Sequence, residues 1–223
     1  MHSSTSTLTL TVGARCSPLS KVQVNEVLSE LRAHSPQVKF HPLWLETKGD
    51  KDQLTSLRGL EKTDFFTSEI DQLLAGGIVE VAIHSAKDLP EPLHPKLCIA
   101  AITQGVDRSD SLVLPEGETI DSLPEGAVIA TSSERREETV RQLRANFRFS
   151  DVRGTIGKRL ALLENGRVDG VVIAEAALIR LGLTGLNRVT LPGDTTPLQG
   201  QLAVMVRSDR KDLIELFAPI DVR

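Results

Sequence analysis

The 223-residue sequence predicts an α/β protein of two lobes with mainly parallel sheets. Three observations predict this. Short apolar runs alternate with segments of helical spacing along the whole chain. Those runs are almost continuously apolar, as strands covered on both faces are. Two stretches of turn-forming residues, near 105–109 and 193–197, divide the chain. Read as hinges, they make 1–104 plus 198–223 the first lobe and 110–194 the second.

In chain order, Leu8, Leu10 and Val12 alternate as a strand does. Val24, Val27, Leu28 and Leu31 line one face of a helix over Pro18–Leu31. Phe40–Leu45 reads as a second strand. Phe66, Ile70, Leu73 and Leu74 mark a helix stopped by Gly76-Gly77. IVEVAI (78–83) and LCIAAI (97–102) read as buried strands. The second half repeats the alternation. AVIA (127–130) is a strand, and Thr131-Ser132-Ser133 supplies helix-starting residues before a helix over Glu134–Arg144. A strand ends near Val152. Ile156, Leu160 and Leu163 line a helix closed by Gly166, followed by the strand VDGVVIA (168–174). LAVMV (202–206) is a strand before a short helix near Leu213–Phe217.

The composition is 40% hydrophobic and 25% charged, which excludes disordered, collagen-like and coiled-coil chains. No apolar run approaches the ~18 residues of a membrane span. MHSSTSTLTL lacks a basic start, an apolar core and a cleavage site, so no signal peptide is expected. Two cysteines, Cys16 and Cys98, make no disulfide scaffold and point to the cytoplasm. A net charge of −4 argues against nucleic acid as a partner, as do seven aromatics without a tyrosine. The five histidines have no metal-ligand spacing, so no metal is expected. His84, at a strand end, reads as a satisfied hydrogen-bonded residue, Cys98 as core, and the pair Phe65-Phe66 as core or with one ring over a ligand.

Charge is unevenly spread. Between Glu134 and Arg159 stand eight basic residues against four acidic ones. A solvated helical face explains such a run as well as an anionic ligand does. Position favours the ligand. In open parallel sheets, ligands sit beyond the carboxyl ends of strands. The residues just after the predicted strands include Arg15, Lys87, Arg135, Arg136, Arg153 and Arg159, with hydroxyls beside them. Arginine forks suit carboxylates. One acid, Asp88, stands among these bases. It is suited to steadying a positive reaction centre, or else to capping a turn or pairing with Lys87.

The same strand ends carry GARCSPL (13–19), TKGD (47–50), HSAKDLP (84–90), TSSERRE (131–137), VRGTIGKRL (152–160), AALIRLGL (176–183) and GQ (200–201). With these motifs in this order the sequence resembles the porphobilinogen deaminase, or hydroxymethylbilane synthase, family over that family's first two domains. The resemblance implies lobes like those of type II periplasmic binding proteins. It implies a transferase of haem and porphyrin biosynthesis that joins four porphobilinogens into the tetrapyrrole hydroxymethylbilane, with release of ammonia. Asp88 matches the catalytic aspartate, with Lys87 beside it. Arg15, Ser17, Gln23, Thr131, Ser133, Arg135, Arg136, Arg153, Arg159, Arg180 and Gln201 match positions that bind cofactor and substrate.

The implied cofactor is a dipyrromethane held by a cysteine in a Gly-Gly-Cys context. That context belongs to a third domain outside these 223 residues, so covalent attachment is not expected within them. Cys16, between Arg15 and Ser17, is the candidate thiol for any substitute attachment, or else a small residue that merely fits the turn. The chain departs from the family at Lys62–Phe66, which lacks the usual glycines, and at Arg108-Ser109-Asp110 and Gly200-Gln201-Leu202. The expected partners are porphobilinogen and its oligomers, with the protein a monomer. A non-catalytic two-lobe binder of carboxylated small molecules such as pyrroles is the alternative reading.

Overall fold

The computed structural model describes residues 7–52, 54–60 and 62–223. The first six residues, read above for a signal peptide, lie outside the described residues. The chain divides into two compact units. Unit 1 comprises 7–51, Lys62–Gly105 and Gln201–Arg223, and unit 2 comprises the described residues of 52–60 with Val106–Gly200.

Unit 1 contains strands β1 (Leu8–Arg15), β2 (Val38–Leu45), β3 (Val81–Ser85) and β4 (Leu97–Ile102), with helices α1 (Pro18–Arg32), α2 (Lys48–Lys51) and α3 (Ser68–Ala75). Unit 2 follows with β5 (Asp110–Val113), β6 (Val128–Ala130), α4 (Glu134–Leu143), β7 (Arg148–Ser150), α5 (Ile156–Glu164), β8 (Gly170–Ala174), α6 (Glu175–Arg180) and β9 (Arg188–Thr190). The chain then returns to unit 1 as β10 (Leu202–Arg207) and α7 (Lys211–Phe217).

Unit 1 holds a five-stranded sheet in the order β2-β1-β3-β10-β4, and unit 2 one in the order β7-β6-β8-β5-β9. In unit 1 the strand period of two sends alternate residues to opposite faces. Val81 and Ile83 enter the cluster formed with α1 and α7, while Ala82 enters the one formed with α3. Covering both faces is why these strands read as unbroken apolar runs. In unit 2, Leu112, Ile129 and Val172 join Val140 of α4 and Phe147 in one core.

Both sheets are mixed, which corrects the expectation of mainly parallel pairing. β1 is parallel to β2 and β3, and β6 to β7 and β8. β10, however, runs antiparallel to β3 and β4, and β5 to β8 and β9. The reason is connectivity. Parallel neighbours need a crossover, usually a helix. β5 and β10 are reached straight from the other unit with no helix between, so nothing turns the chain back.

Other expectations shift for local reasons. IVEVAI (78–83) is a strand only from Val81 onward. Ile78 is exposed, and Thr11 bonds the main chain and the side chain of Glu80 instead of a continuing ladder. β5 and β9 carried no strand signal, because Asp110-Ser111 reads as a turn and Arg188–Thr190 is too short and polar. The described residues of 52–60 and the stretch up to Gly200 go with unit 2, beyond the boundaries read from turn residues. The side chain of Gln199 explains the latter. It donates to the carbonyls of Arg108 and Ser109 at 2.8 and 3.1 Å, fastening the outgoing chain to the incoming one.

Candidate functional site

In unit 1 the parallel register of β1 and β3 (Val12 opposite Val81, Gly13 opposite Ala82) brings both carboxyl ends to the same edge. Arg15, Cys16 and Ser17 leave β1 there. Ser17 caps α1, accepting from the Ser20 amide at 3.2 Å with Pro18 in the first turn. Cys16 is exposed. Beyond β3, Ala86–Asp88 form a single 3₁₀ turn that carries Lys87 and Asp88, both half-buried. Gln201 stands beside this turn, its carbonyl accepting from the Ala86 amide at 3.0 Å. Its side chain donates to the Thr103 carbonyl at 2.9 Å. Gln23, buried on α1, donates to Ser85 Oγ at 2.9 Å.

Arg15 is held by the TKGD segment. Thr47 and Asp50 bond each other reciprocally across the first turn of α2, with the Thr47 hydroxyl 2.9 Å from Asp50 Oδ2. This aims the Asp50 carboxylate at Arg15, which donates Nε at 3.2 Å and pairs through Nη2. Burial pushes the Asp50 carboxyl up, but the Arg15 hydrogen bonds and charge and the Thr47 bonds outweigh it and hold it below the usual range. The guanidinium also lies 4.5 Å from the Phe66 ring centroid. Phe66 is thus a half-buried partner of an arginine rather than core, and Phe65, also half-buried, packs edge-on against it with ring centroids 5.1 Å apart. A Cβ on Gly49 would fall 2.4 Å from the Phe66 ring, so the platform needs glycine there.

The carboxylate of Asp88 makes no hydrogen bond or ion pair among the described residues, so both the capping and the Lys87-pairing readings fail there. His84 is buried with its Nε2 3.4 Å from Asp71 Oδ1, and among the described residues that nitrogen has no hydrogen-bond partner, against the expectation of a satisfied residue. β3 aims it at α3, whose Asp71 approaches without hydrogen-bond alignment. Cys98 packs against the core, as its strand predicts.

In unit 2 the corresponding edge is formed by the ends of β6, β7 and β8. Thr131 is buried and accepts from the Ser133 amide at 3.3 Å. Ser132 locks the loop after β6 to the loop after β7, donating to the Val152 carbonyl at 2.6 Å and accepting from its amide at 2.9 Å. Arg153 Nη2 donates to the Asp52 carbonyl at 2.6 Å, Arg159 Nε to that of Gly154 at 3.0 Å, and Arg180 Nη2 to that of Gly200 at 2.8 Å. Arg135 and Arg136, in the first turn of α4, converge on Asp110 at 2.5 Å each. Burial raises the Asp110 carboxyl, yet the charge of Arg136 and hydrogen bonds from Arg136, Arg135 and Gln199 bring it down to about 2.

The expected residues therefore gather in two sets, one on each unit. Asp88 is not the sole acid among the bases, as the sequence suggested. Asp50 and Asp110 stand there too, and the difference is that both are paired. Sequence reading missed these two and Gln199. TKGD contains Asp50 but reveals no partner, and Asp110 reads as a turn residue although it begins a buried strand. Among the described residues no cluster of histidine, cysteine and acidic groups could hold a metal, and no helix is long and apolar enough to cross a membrane.

A family model described as porphobilinogen deaminase, dipyromethane cofactor binding domain, matches residues 10–215. A probable porphobilinogen deaminase from Chlamydia muridarum is 41% identical over 195 residues, covering 87% of this chain and 80% of that protein. One from Chlamydia pneumoniae is 37% identical, covering 95% of this chain and 89% of that protein. The porphobilinogen deaminase of a Roseiflexus species (strain RS-1) is 36% identical, covering 96% and 71%. A periplasmic substrate-binding protein of an ABC transporter from Coxiella burnetii superposes with a TM-score of 0.59 at 17% identity, covering 95% of this chain and 91% of that one. A probable amino-acid ABC transporter extracellular-binding protein from Bacillus subtilis gives 0.57 at 16% identity, covering 94% and 88%. These two share the fold, that of type II periplasmic binding proteins.

Proposed function

This chain belongs to the porphobilinogen deaminase family, and from that membership we propose that the residues gathered on its two strand-end edges carry the family's reaction. The chain is a hydroxymethylbilane synthase, joining porphobilinogen units into hydroxymethylbilane with loss of ammonia. Asp88 is the catalytic group. Its carboxylate accepts hydrogen bonds from pyrrole N–H groups. Its charge steadies the cationic carbon left on porphobilinogen as ammonia departs, and half-burial strengthens that interaction. Lys87 stands beside it in the same turn.

Arg15, Ser17, Gln23 and Gln201 on unit 1, with Thr131, Ser133, Arg135, Arg136, Arg153, Arg159 and Arg180 on unit 2, hold and orient acetate and propionate arms. The same donors suit the dipyrromethane for which the family model is named, since its two pyrroles bear the same arms and N–H groups. When bound, that group supplies the primer to which units are added. Cys16 is exposed and is the thiol to examine for attachment. We read the protein as a cytoplasmic monomer acting on small pyrroles, in keeping with its acidic net charge.

The observation that carries this reading is that Asp88 has no partner among the described residues. A passive binder of polycarboxylates gains from its cations and from paired acids that position them, whereas a free carboxylate repels its ligand. Asp88→Asn keeps the shape and removes the charge. With the fold intact by circular dichroism, ammonia release from porphobilinogen is expected to fall by ~10²–10³. Unchanged ammonia release would remove Asp88 from the mechanism.

A further inference from the structure

We propose that Asp110 is a positioning residue that stands in for a substrate carboxylate. It holds the forks of Arg135 and Arg136, and an incoming acetate or propionate takes Arg135 by displacing it. That exchange loosens the segments by which the chain enters and leaves unit 2. The inference rests on the reading of Arg135 as a carboxylate ligand given above.

One carboxylate joins three pieces of chain. Asp110 Oδ1 accepts from Arg136 Nη2 at 2.5 Å and from Gln199 Nε2 at 2.9 Å, and Oδ2 accepts from Arg135 Nη2 at 2.5 Å. Arg135 Nη1 donates to the Asp194 carbonyl at 2.9 Å. The first turn of α4 is thereby tied to the incoming segment 106–110 and to the outgoing segment 194–200. Within each end of the tie the chain is close-packed, because Gly200 at φ +87° lies against the carbonyl of Asp107.

Charge and exposure decide which partner yields. Two guanidiniums on one carboxylate leave a positive charge uncompensated, which a second carboxylate neutralises. The Asp110 side chain is 2% exposed and that of Arg136 12%, whereas that of Arg135 is 33% exposed. Arg136 and Asp110 form the buried half, and Arg135 is the half a ligand reaches. Both terminal nitrogens of Arg135 already carry a partner, so a bidentate carboxylate competes for them with Asp110 and the Asp194 carbonyl. Arg153 and Arg180 show the same habit, resting on the carbonyls of Asp52 and Gly200. These cations are held in place by acceptors of their own chain that a ligand can replace.

The test uses porphobilinogen lacking its aminomethyl group, a pyrrole with the same two acid arms and no leaving group. Calorimetry follows its binding, and amide hydrogen exchange follows residues 106–113 and 194–200. On saturation of the unmodified protein, exchange in both segments is expected to rise ~tenfold. Asp110→Asn is expected to bind the pyrrole ~tenfold tighter, where a merely structural residue would weaken binding on removal. Binding without a rise in exchange at those segments overturns the proposal, and that measurement stands even if the variant fails to fold. A folded Asp110→Asn that binds no tighter overturns it as well. Failure of the pyrrole to bind, or binding unchanged by Arg135→Leu, instead overturns the ligand role of Arg135 and this inference with it.

Discussion

An arginine that meets a carboxylate within its own chain is shaped before any ligand arrives, and Arg15 shows what that takes. Two acceptor oxygens of Asp50, the Phe66 face and the reciprocal Thr47–Asp50 bonds fix a side chain that otherwise has many rotamers. Ordering such a side chain costs ~2 kcal/mol of rotamer entropy. In this protein folding meets that cost, so binding does not. Asp50→Asn leaves the fork unaimed and is expected to raise KM for porphobilinogen ~tenfold, with a smaller change in kcat. Steady-state kinetics checks this, and an unchanged KM would show that Arg15 needs no such support.

At the scale of elements, two of the chain crossings, those at 105–106 and 200–201, depend on one glycine. Gly200 has φ +87°, and a Cβ there would fall 2.2 Å from the Asp107 carbonyl oxygen. Gly200→Ala combines a left-handed conformation with a backbone clash, so a loss of ~3 kcal/mol is expected in urea unfolding. A variant within ~0.5 kcal/mol of the parent would mean that the segment shifts freely. Elements of this kind were the least legible in the sequence. The apolar run LCIAAI became β4 residue for residue, because burial on both faces leaves no other pattern. The start of α1 at Pro18 was likewise as read. β5 hid behind Asp110 and Ser111, whose polar groups are buried because Arg135, Arg136 and Glu175 satisfy them. Strand direction was hidden too, since local pattern carries burial and not the route by which a strand is reached. The candidate site was legible as a set of residue types at strand ends. Which of its cations were already partnered was not, because those partners, that of Arg159 excepted, lie 20 to 101 residues away in sequence.

Across the whole molecule, the paired acids make stability depend on pH in a predictable sense. Asp50 in unit 1, and Asp110, Asp151 and Glu175 in unit 2, all have carboxyls held below their ordinary values. A carboxyl lowered by folding binds its proton more weakly in the folded than in the unfolded chain. Its contribution is therefore complete above the unfolded value and is lost as pH falls through the folded one. For Asp110 these limits are 3.8 and about 2. Integrated over that window, the buried Asp110 alone accounts for about 2 kcal/mol. Its protonation would also leave Arg136 buried without a counter-charge, which adds to the loss. Urea unfolding from pH 6 to pH 2.5 is expected to show a plateau down to about pH 4 and then a steep fall. Because each unit has its own core and its own paired acids, both are expected to weaken in the same range. A midpoint that stays flat from pH 4 to pH 2.5 would mean that these pairs add nothing beyond what their carboxylates find in water, and would contradict the placement of Asp110 between its two arginines.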